Sequence, residues 1–117
     1  MLPKLLIGLF LFVMAADASA QKKEPPVNWH KDKKQVDNFT IRLLPSIGNT
    51  YGYEIQVAEI TLERQYYNPF AKAPMGFRKK EDAYKVATWV IKEFKKTGRM
   101  PHHFPPNVAH ELKVPIF

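Results

Sequence analysis

The pattern of apolar and polar positions becomes regular at residue 39, where Phe39, Ile41 and Leu43 alternate with Thr40 and Arg42 until Pro45 stops the run. That period of two predicts a first strand. After a loop at Ser46 to Thr50 that contains Gly48 and Asn49, Tyr51, Tyr53, Ile55 and Val57 fall on one face, with Glu54 and Gln56 on the other. A third run, Ile60 to Tyr66, follows after only Ala58 and Glu59. A tight turn there sets Val57 opposite Ile60, Ile55 opposite Leu62, Tyr53 opposite Arg64 and Tyr51 opposite Tyr66, which makes one coherent apolar face. A slip of one residue sets Ile55 against Glu63 and mixes core with solvent. Two features oppose the first register. Ala58-Glu59 lacks the Gly or Asn that two-residue turns prefer, and Glu54 faces Glu63 across the ladder.

Residues 67 to 77 carry Pro69, Pro74 and Gly76 and read as a crossing loop. From Lys80 to Lys96, the residues Ala83, Val86, Ala87, Val90, Ile91 and Phe94 recur at helical spacing, an apolar stripe with Trp89 on its flank. Glu81 and Asp82 suit the positive end of the helix dipole, Lys95 and Lys96 the negative end, and Gly98 is a natural stop. Beyond it, Met100 to Pro106 is extended and proline-rich, Asn107 is placed to cap a short turn through Leu112, and Val114 to Phe117 closes the chain with an apolar tail. The expected fold is α+β, a small antiparallel sheet of about three strands packed against one long amphipathic helix, with an extended proline-rich C-terminal segment.

The N-terminal end has a different pattern. Lys4, the apolar run Leu5 to Ala16 and the small-x-small Ala18-Ser19-Ala20 follow the order of a cleaved secretory signal peptide, residues 1–20. The rival reading, a membrane anchor, needs about 20 apolar residues, and this stretch ends after roughly twelve. A lipoprotein-type anchor needs a cysteine at the cleavage point, and the chain has none. Residues 21–38 combine Pro25-Pro26 with five lysines and no periodicity, and are expected to form a basic, flexible leader. Val27 and Trp29 are its exceptions, because a tryptophan in a polar tail docks on the domain or awaits a partner. Residues 39–117 then form a single small domain.

Composition narrows the chemistry. Loss of twenty residues from 117 leaves about 97, enough for one modest core. With no cysteine, burial rather than disulfides must hold the fold. The formal charge of +7 favours contact with anionic surfaces without selecting one.

The segments Tyr51-Gly52-Tyr53-Glu54-Ile55, Gly76-Phe77-Arg78-Lys79-Lys80-Glu81-Asp82-Ala83 with Val86-Ala87 and Val90-Ile91-Lys92, Met100-Pro101, and Pro105-Pro106-Asn107-Val108 with Glu111-Leu112 resemble domain-of-unknown-function family 4907. The resemblance implies a small exported protein of Bacteroidetes-type bacteria, in a periplasmic or surface setting. It implies no activity and no functional residue. Physically, Gly76 lets the backbone bend and Phe77 can pack beneath the first helical turn, which makes this motif a folding device.

Candidate chemistry is sparse. Glu54 and Glu63, side by side on the outer sheet face, have the residue types of a glycosidase pair, but Arg42 on the same face would neutralise them and a flat sheet offers no cleft. His102, His103 and His110, with His30, are candidate metal ligands, but their spacing matches no helical pair and adjacent histidines on an extended chain point apart. Ser46 is the one serine after the signal segment, and there is no phosphate-binding glycine loop or nucleophile elbow. Lys85, Lys92, Lys95, Lys96 and Arg99 form the densest positive patch, candidate contacts for an anionic partner. Nucleic acid is not expected, since Tyr67, Phe70 and Trp29 are the only aromatics without core duties. The expectation is therefore an exported non-enzymatic module, periplasmic or secreted and without a cofactor or stable membrane anchor, that binds a protein or cell-envelope component. The alternative is electrostatic binding of an anionic polymer or lipid surface through the lysine-rich helix face.

Overall fold

A computed structural model of the chain describes residues 24–116. The expected signal segment, residues 1–20, lies outside the described residues. Four strands, β1 (Lys33–Val36), β2 (Phe39–Ser46), β3 (Thr50–Val57) and β4 (Ile60–Gln65), form one antiparallel sheet in the order β1-β2-β3-β4. Helices α1 (Lys80–Thr97) and α2 (Pro106–Leu112) follow. The expected α+β build thus gains an edge strand inside the leader and a second, short helix.

β2 and β3 pair along their whole lengths, from Phe39↔Val57 to Ser46↔Thr50. Phe39, Ile41, Leu43, Tyr53 and Ile55 share the inner face and are buried there. α1 packs against these two strands and buries Ala83, Val86, Ala87, Val90 and Ile91. Each large aliphatic side chain so buried contributes about 1.5–3 kcal/mol, which makes this interface the main source of stability. The rings of Phe39 and Phe94 meet edge to face at 6.0 Å between centroids.

One helix about 10 Å across covers roughly two strands spaced about 4.8 Å apart. β4 lies beyond that cover, and there the expected register fails. Val57↔Ile60 forms as expected, but an irregularity between Ile55 and Gln56 then gives Ile55↔Glu63, Glu54↔Arg64 and Tyr53↔Gln65, leaving Leu62 without a cross-strand partner. The pairs Ile55–Leu62, Tyr53–Arg64 and Tyr51–Tyr66 do not form. With no layer to bury them, Ile60, Leu62 and Tyr66 gain little from facing inward and remain exposed, while the bulge lets Arg64 reach Glu54. The turn closes although Ala58 and Glu59 are not glycine; both take left-handed backbone angles, φ 49° and 67°.

The chain leaves β4 by crossing β3 at Gly52, where an added Cβ would lie 2.4 Å from the Gln65 carbonyl oxygen and 2.8 Å from the Tyr66 Cα. Ser46 Oγ donates to the Tyr66 carbonyl at 2.7 Å and holds the crossing in place. Beyond it Phe77 takes the place beside Tyr51, exchanging two backbone hydrogen bonds of 2.7 and 2.8 Å. Gly76 permits this approach, since a Cβ there would lie 2.5 Å from the Tyr51 carbonyl oxygen. The Gly-Phe motif is thus the seam between loop and sheet.

The leader also departs from expectation. Residues 24–32 dock on the domain and Lys33–Val36 pairs with β2. Asn28 and Asp32 close a turn, with the Asn28 N–H donating to Asp32 Oδ2 at 2.7 Å. Lys80 Nζ donates to the same carboxylate at 2.9 Å. α1 has no capping side chain of its own at Lys79; Glu24 Oε2 accepts the Lys80 N–H instead, at 3.1 Å. The Tyr51 hydroxyl shares its one proton between the carbonyl oxygens of Glu24 and Pro25, at 2.9 and 2.6 Å.

Gly98 ends α1 in the left-handed conformation, its N–H donating to the Phe94 carbonyl. Phe104 then packs against Phe70 and Trp89, at 6.0 and 5.5 Å between ring centroids. α2 begins at Pro106, with Pro105 rather than the expected Asn107 in the cap position. A proline at the first helical position loses no hydrogen bond, because that N–H has no partner inside the helix.

Candidate binding groove on the outer sheet face

The side chains that alternate with the core set stand on the opposite face of the sheet. The register places Lys33, Arg42, Glu54 and Arg64 directly opposite one another in a single row across all four strands. Gln56 lies in the next row, between Thr40 and Thr61.

Glu54 is the centre of this row and is buried. Its Oε2 accepts the Arg64 Nε–H at 2.7 Å, and its Oε1 accepts Gln56 Nε2–H at 2.5 Å and the Thr61 hydroxyl at 3.1 Å. Gln56 passes the contact on, since its Oε1 accepts the Arg42 Nε–H at 3.1 Å. Both arginines are thus fixed through Nε. The hydrogen bond to Glu54, followed by the attraction of its charge, raises the pKa of Arg64.

Around this network lies a groove of about 430 Å³ lined by Trp29, Arg42, Leu44, Glu54, Gln56, Arg64 and Tyr66. Leu44 is buried, whereas Trp29 and Tyr66 are 53% and 46% exposed. Trp29 also borders a second hollow formed by residues 25–32 and Lys80. The outer face is therefore not the cleftless surface that the sequence implies.

The expected carboxylate pair is not assembled. Glu54 faces Arg64, and Glu63 stands opposite Ile55 on the other side of the sheet. Arg64, not Arg42, neutralises Glu54. Glu63 accepts the backbone N–H of Arg64, and its charge, after burial itself, pushes the Tyr53 hydroxyl well above the tyrosine range.

His30, His102, His103 and His110 are all exposed, and among the described residues no three His, Asp or Glu side chains gather as a metal site. In the lysine patch, Lys85 lies 3.7 Å from Glu81 and 3.8 Å from Asp82, Lys96 lies 3.9 Å from Glu93, and Lys95 pairs with Asp37. Lys92 and Arg99 are exposed and make no ion pair with another described residue. No described helix is long and apolar enough to cross a membrane.

Gln56 and Tyr66 carry no signal in the sequence as groove residues, because their neighbours depend on the register of β4, and Leu44 reads there as one more apolar strand residue. Trp29, a tryptophan in a polar segment, and Glu54, a carboxylate with Arg42 on the same face, are the groove residues that stand out there.

Residues 45–102 match the sequence model of a family described as a domain of unknown function, DUF4907. The matched stretch runs from the end of β2 through α1. It includes Gly52, Glu54, Gln56, Arg64, Tyr66 and the Gly76-Phe77 seam, while Trp29, Lys33 and Arg42 lie before it. The chain matches no curated protein and no solved structure.

Proposed function

We propose that this chain is an exported, non-enzymatic module that binds a protein or cell-envelope component, and that the partner docks in the outer-face groove. The observation that carries this reading is the pairing of two half-exposed aromatic side chains, Trp29 and Tyr66, with an ordered polar network between them. Tryptophan, tyrosine and arginine are the residue types that most often carry binding energy at interfaces. The fixed network also favours binding over catalysis. Both oxygens of Glu54 already accept hydrogen bonds, from three donors, so it is poorly placed to take a substrate proton. Export rests on the order of charged, apolar and small residues in positions 1–20.

The alternative, electrostatic binding through Lys85, Lys92, Lys95, Lys96 and Arg99, draws less support. Three of those lysines already meet carboxylates, which reduces the charge presented to a partner.

Sedimentation with purified envelope fragments tests the reading. Wild-type protein should co-sediment and the Trp29→Ala, Tyr66→Ala double variant should remain in the supernatant, with matched melting curves. Equal co-sedimentation of the two, or retention that disappears only on reversing Lys92 and Lys96, would move the site off the groove. Export is checked by the N-terminal sequence of protein from its native host, which should begin at Gln21.

A further inference from the structure

Resting on that reading, we infer that the groove takes an acidic polysaccharide, with a carboxylate-bearing sugar unit seated between Trp29 and Tyr66 and its charge held by Arg42 and Arg64. Three cations and one carboxylate occupy the row Lys33, Arg42, Glu54 and Arg64, so the face carries a positive excess along a line at right angles to the strands. The single carboxylate is already engaged by Arg64, Gln56 and Thr61. A ligand therefore meets the guanidinium groups rather than a free acid.

The hydrogen bonds of Arg42 and Arg64 within the network use Nε, which leaves the terminal nitrogens of each fork as donors for a ligand. Paired N–H groups of that kind match a planar carboxylate in two-point fashion. The aromatic pair selects the body of the ligand. A sugar ring offers C–H groups on its faces, which suit an exposed indole or phenol face.

The shape of the groove separates this ligand from others. The groove is lined by side chains on the face of the sheet, so a ligand lying in it meets those side chains rather than the backbone ladder. It is shallow and open, which suits a chain lying across the row better than a small molecule that needs enclosure. The overall charge of +7 is complementary to a polyanion.

Isothermal titration calorimetry of the full-length mature chain tests the assignment with four probes: polygalacturonate, neutral dextran, polyglutamate and a single-stranded oligonucleotide. Polygalacturonate should bind, more weakly as salt rises, and at least about tenfold less well to Trp29→Ala and to Arg42→Gln. Lys92→Glu, Lys96→Glu protein, which lowers the net charge without touching the groove, should lose less affinity than either groove variant. Both groove variants are at sites outside the core, and a melting curve verifies that each is folded. Polyglutamate binding as tight as polygalacturonate would overturn the sugar-ring assignment, and tighter oligonucleotide binding would replace it with nucleic acid. If only dextran, or an envelope protein, bound in a Trp29-dependent way, the acidic sugar would fall while the groove reading stood. If no probe and no envelope fraction bound in a Trp29-dependent way, both would fall.

Discussion

The two faces of the sheet are drawn from alternate residues of the same strands, yet they solve opposite problems. On the inner face Ile41, Leu43, Tyr53 and Ile55 meet α1, and all four are shielded from water. On the outer face Arg42, Glu54, Gln56 and Arg64 meet no second layer and satisfy one another through hydrogen bonds. Burial of apolar area is non-directional and gives most of the stability; the polar network is directional, contributes less, and holds side chains in fixed positions. A face organised for placement rather than adhesion is the one on which a ligand is expected.

The contrast can be broken by comparing substitutions on the two sides, each read by denaturant unfolding. Ile91→Ala, which removes three buried carbons from the helix that covers the inner face, should cost about 3–4 kcal/mol. Gly52→Ala acts on the outer side, where the new methyl group has to displace the Gln65–Tyr66 crossing, and should cost about 2–3 kcal/mol. Glu54→Ala strips the acceptor from Arg64, Gln56 and Thr61 and should cost about 1–2 kcal/mol, because half-exposed Arg64 recovers water. A Glu54→Ala penalty equal to that of Ile91→Ala would mean that the outer network is a second core and would remove the distinction.

The smallest effect concerns the latch that brings Trp29 to the groove. Burial alone would raise the Asp32 pKa, but the Asn28 N–H and the Lys80 ammonium, with Lys31 nearby, hold it below the usual carboxylate value. A depressed folded-state pKa gives stability that is present above the unfolded value of 3.8 and is lost as pH falls through the folded one. Amides of residues 28–33 should therefore lose protection, measured against their intrinsic exchange rates, as the solution is acidified below that window, and Asp32→Asn should remove that protection already at neutral pH. Asp82 behaves oppositely. Desolvation raises its pKa despite Lys85, so its contribution is present in acid and lost as pH rises, and Asp82→Asn should leave the latch unchanged.

How far the sequence could be read varied with the range of the interactions. α1 was legible to within a residue because its apolar stripe and its Gly98 stop lie within one continuous stretch. β2 and β3 were legible because each alternates cleanly against a covered face. β4 was legible as a strand and misread in register, because Ile60, Leu62 and Tyr66 mimic a buried face that no element covers. β1, with Lys33, Lys34 and Gln35 exposed, has no periodic signature at all. It exists because β2 offers an unpaired edge and the Asn28–Asp32 turn delivers the chain to it.

The groove was therefore the part least open to sequence reading. Trp29 stands out as an anomaly and Glu54 as a carboxylate, but an unbroken alternation implies Glu63 as its neighbour where the bulge supplies Arg64.

What the amino-acid sequence determined by itself was the one long helix, the central hairpin of the sheet, the basic charge and the absence of cysteine. These depend on the spacing of neighbours along the chain. The tertiary structure alone decided which strands lie under the helix, where β4 slips, and that Arg42, Glu54, Arg64, Trp29 and Tyr66 share one surface. Those depend on pairings between distant residues, and a shift of one position in a strand sends every following side chain to the opposite face.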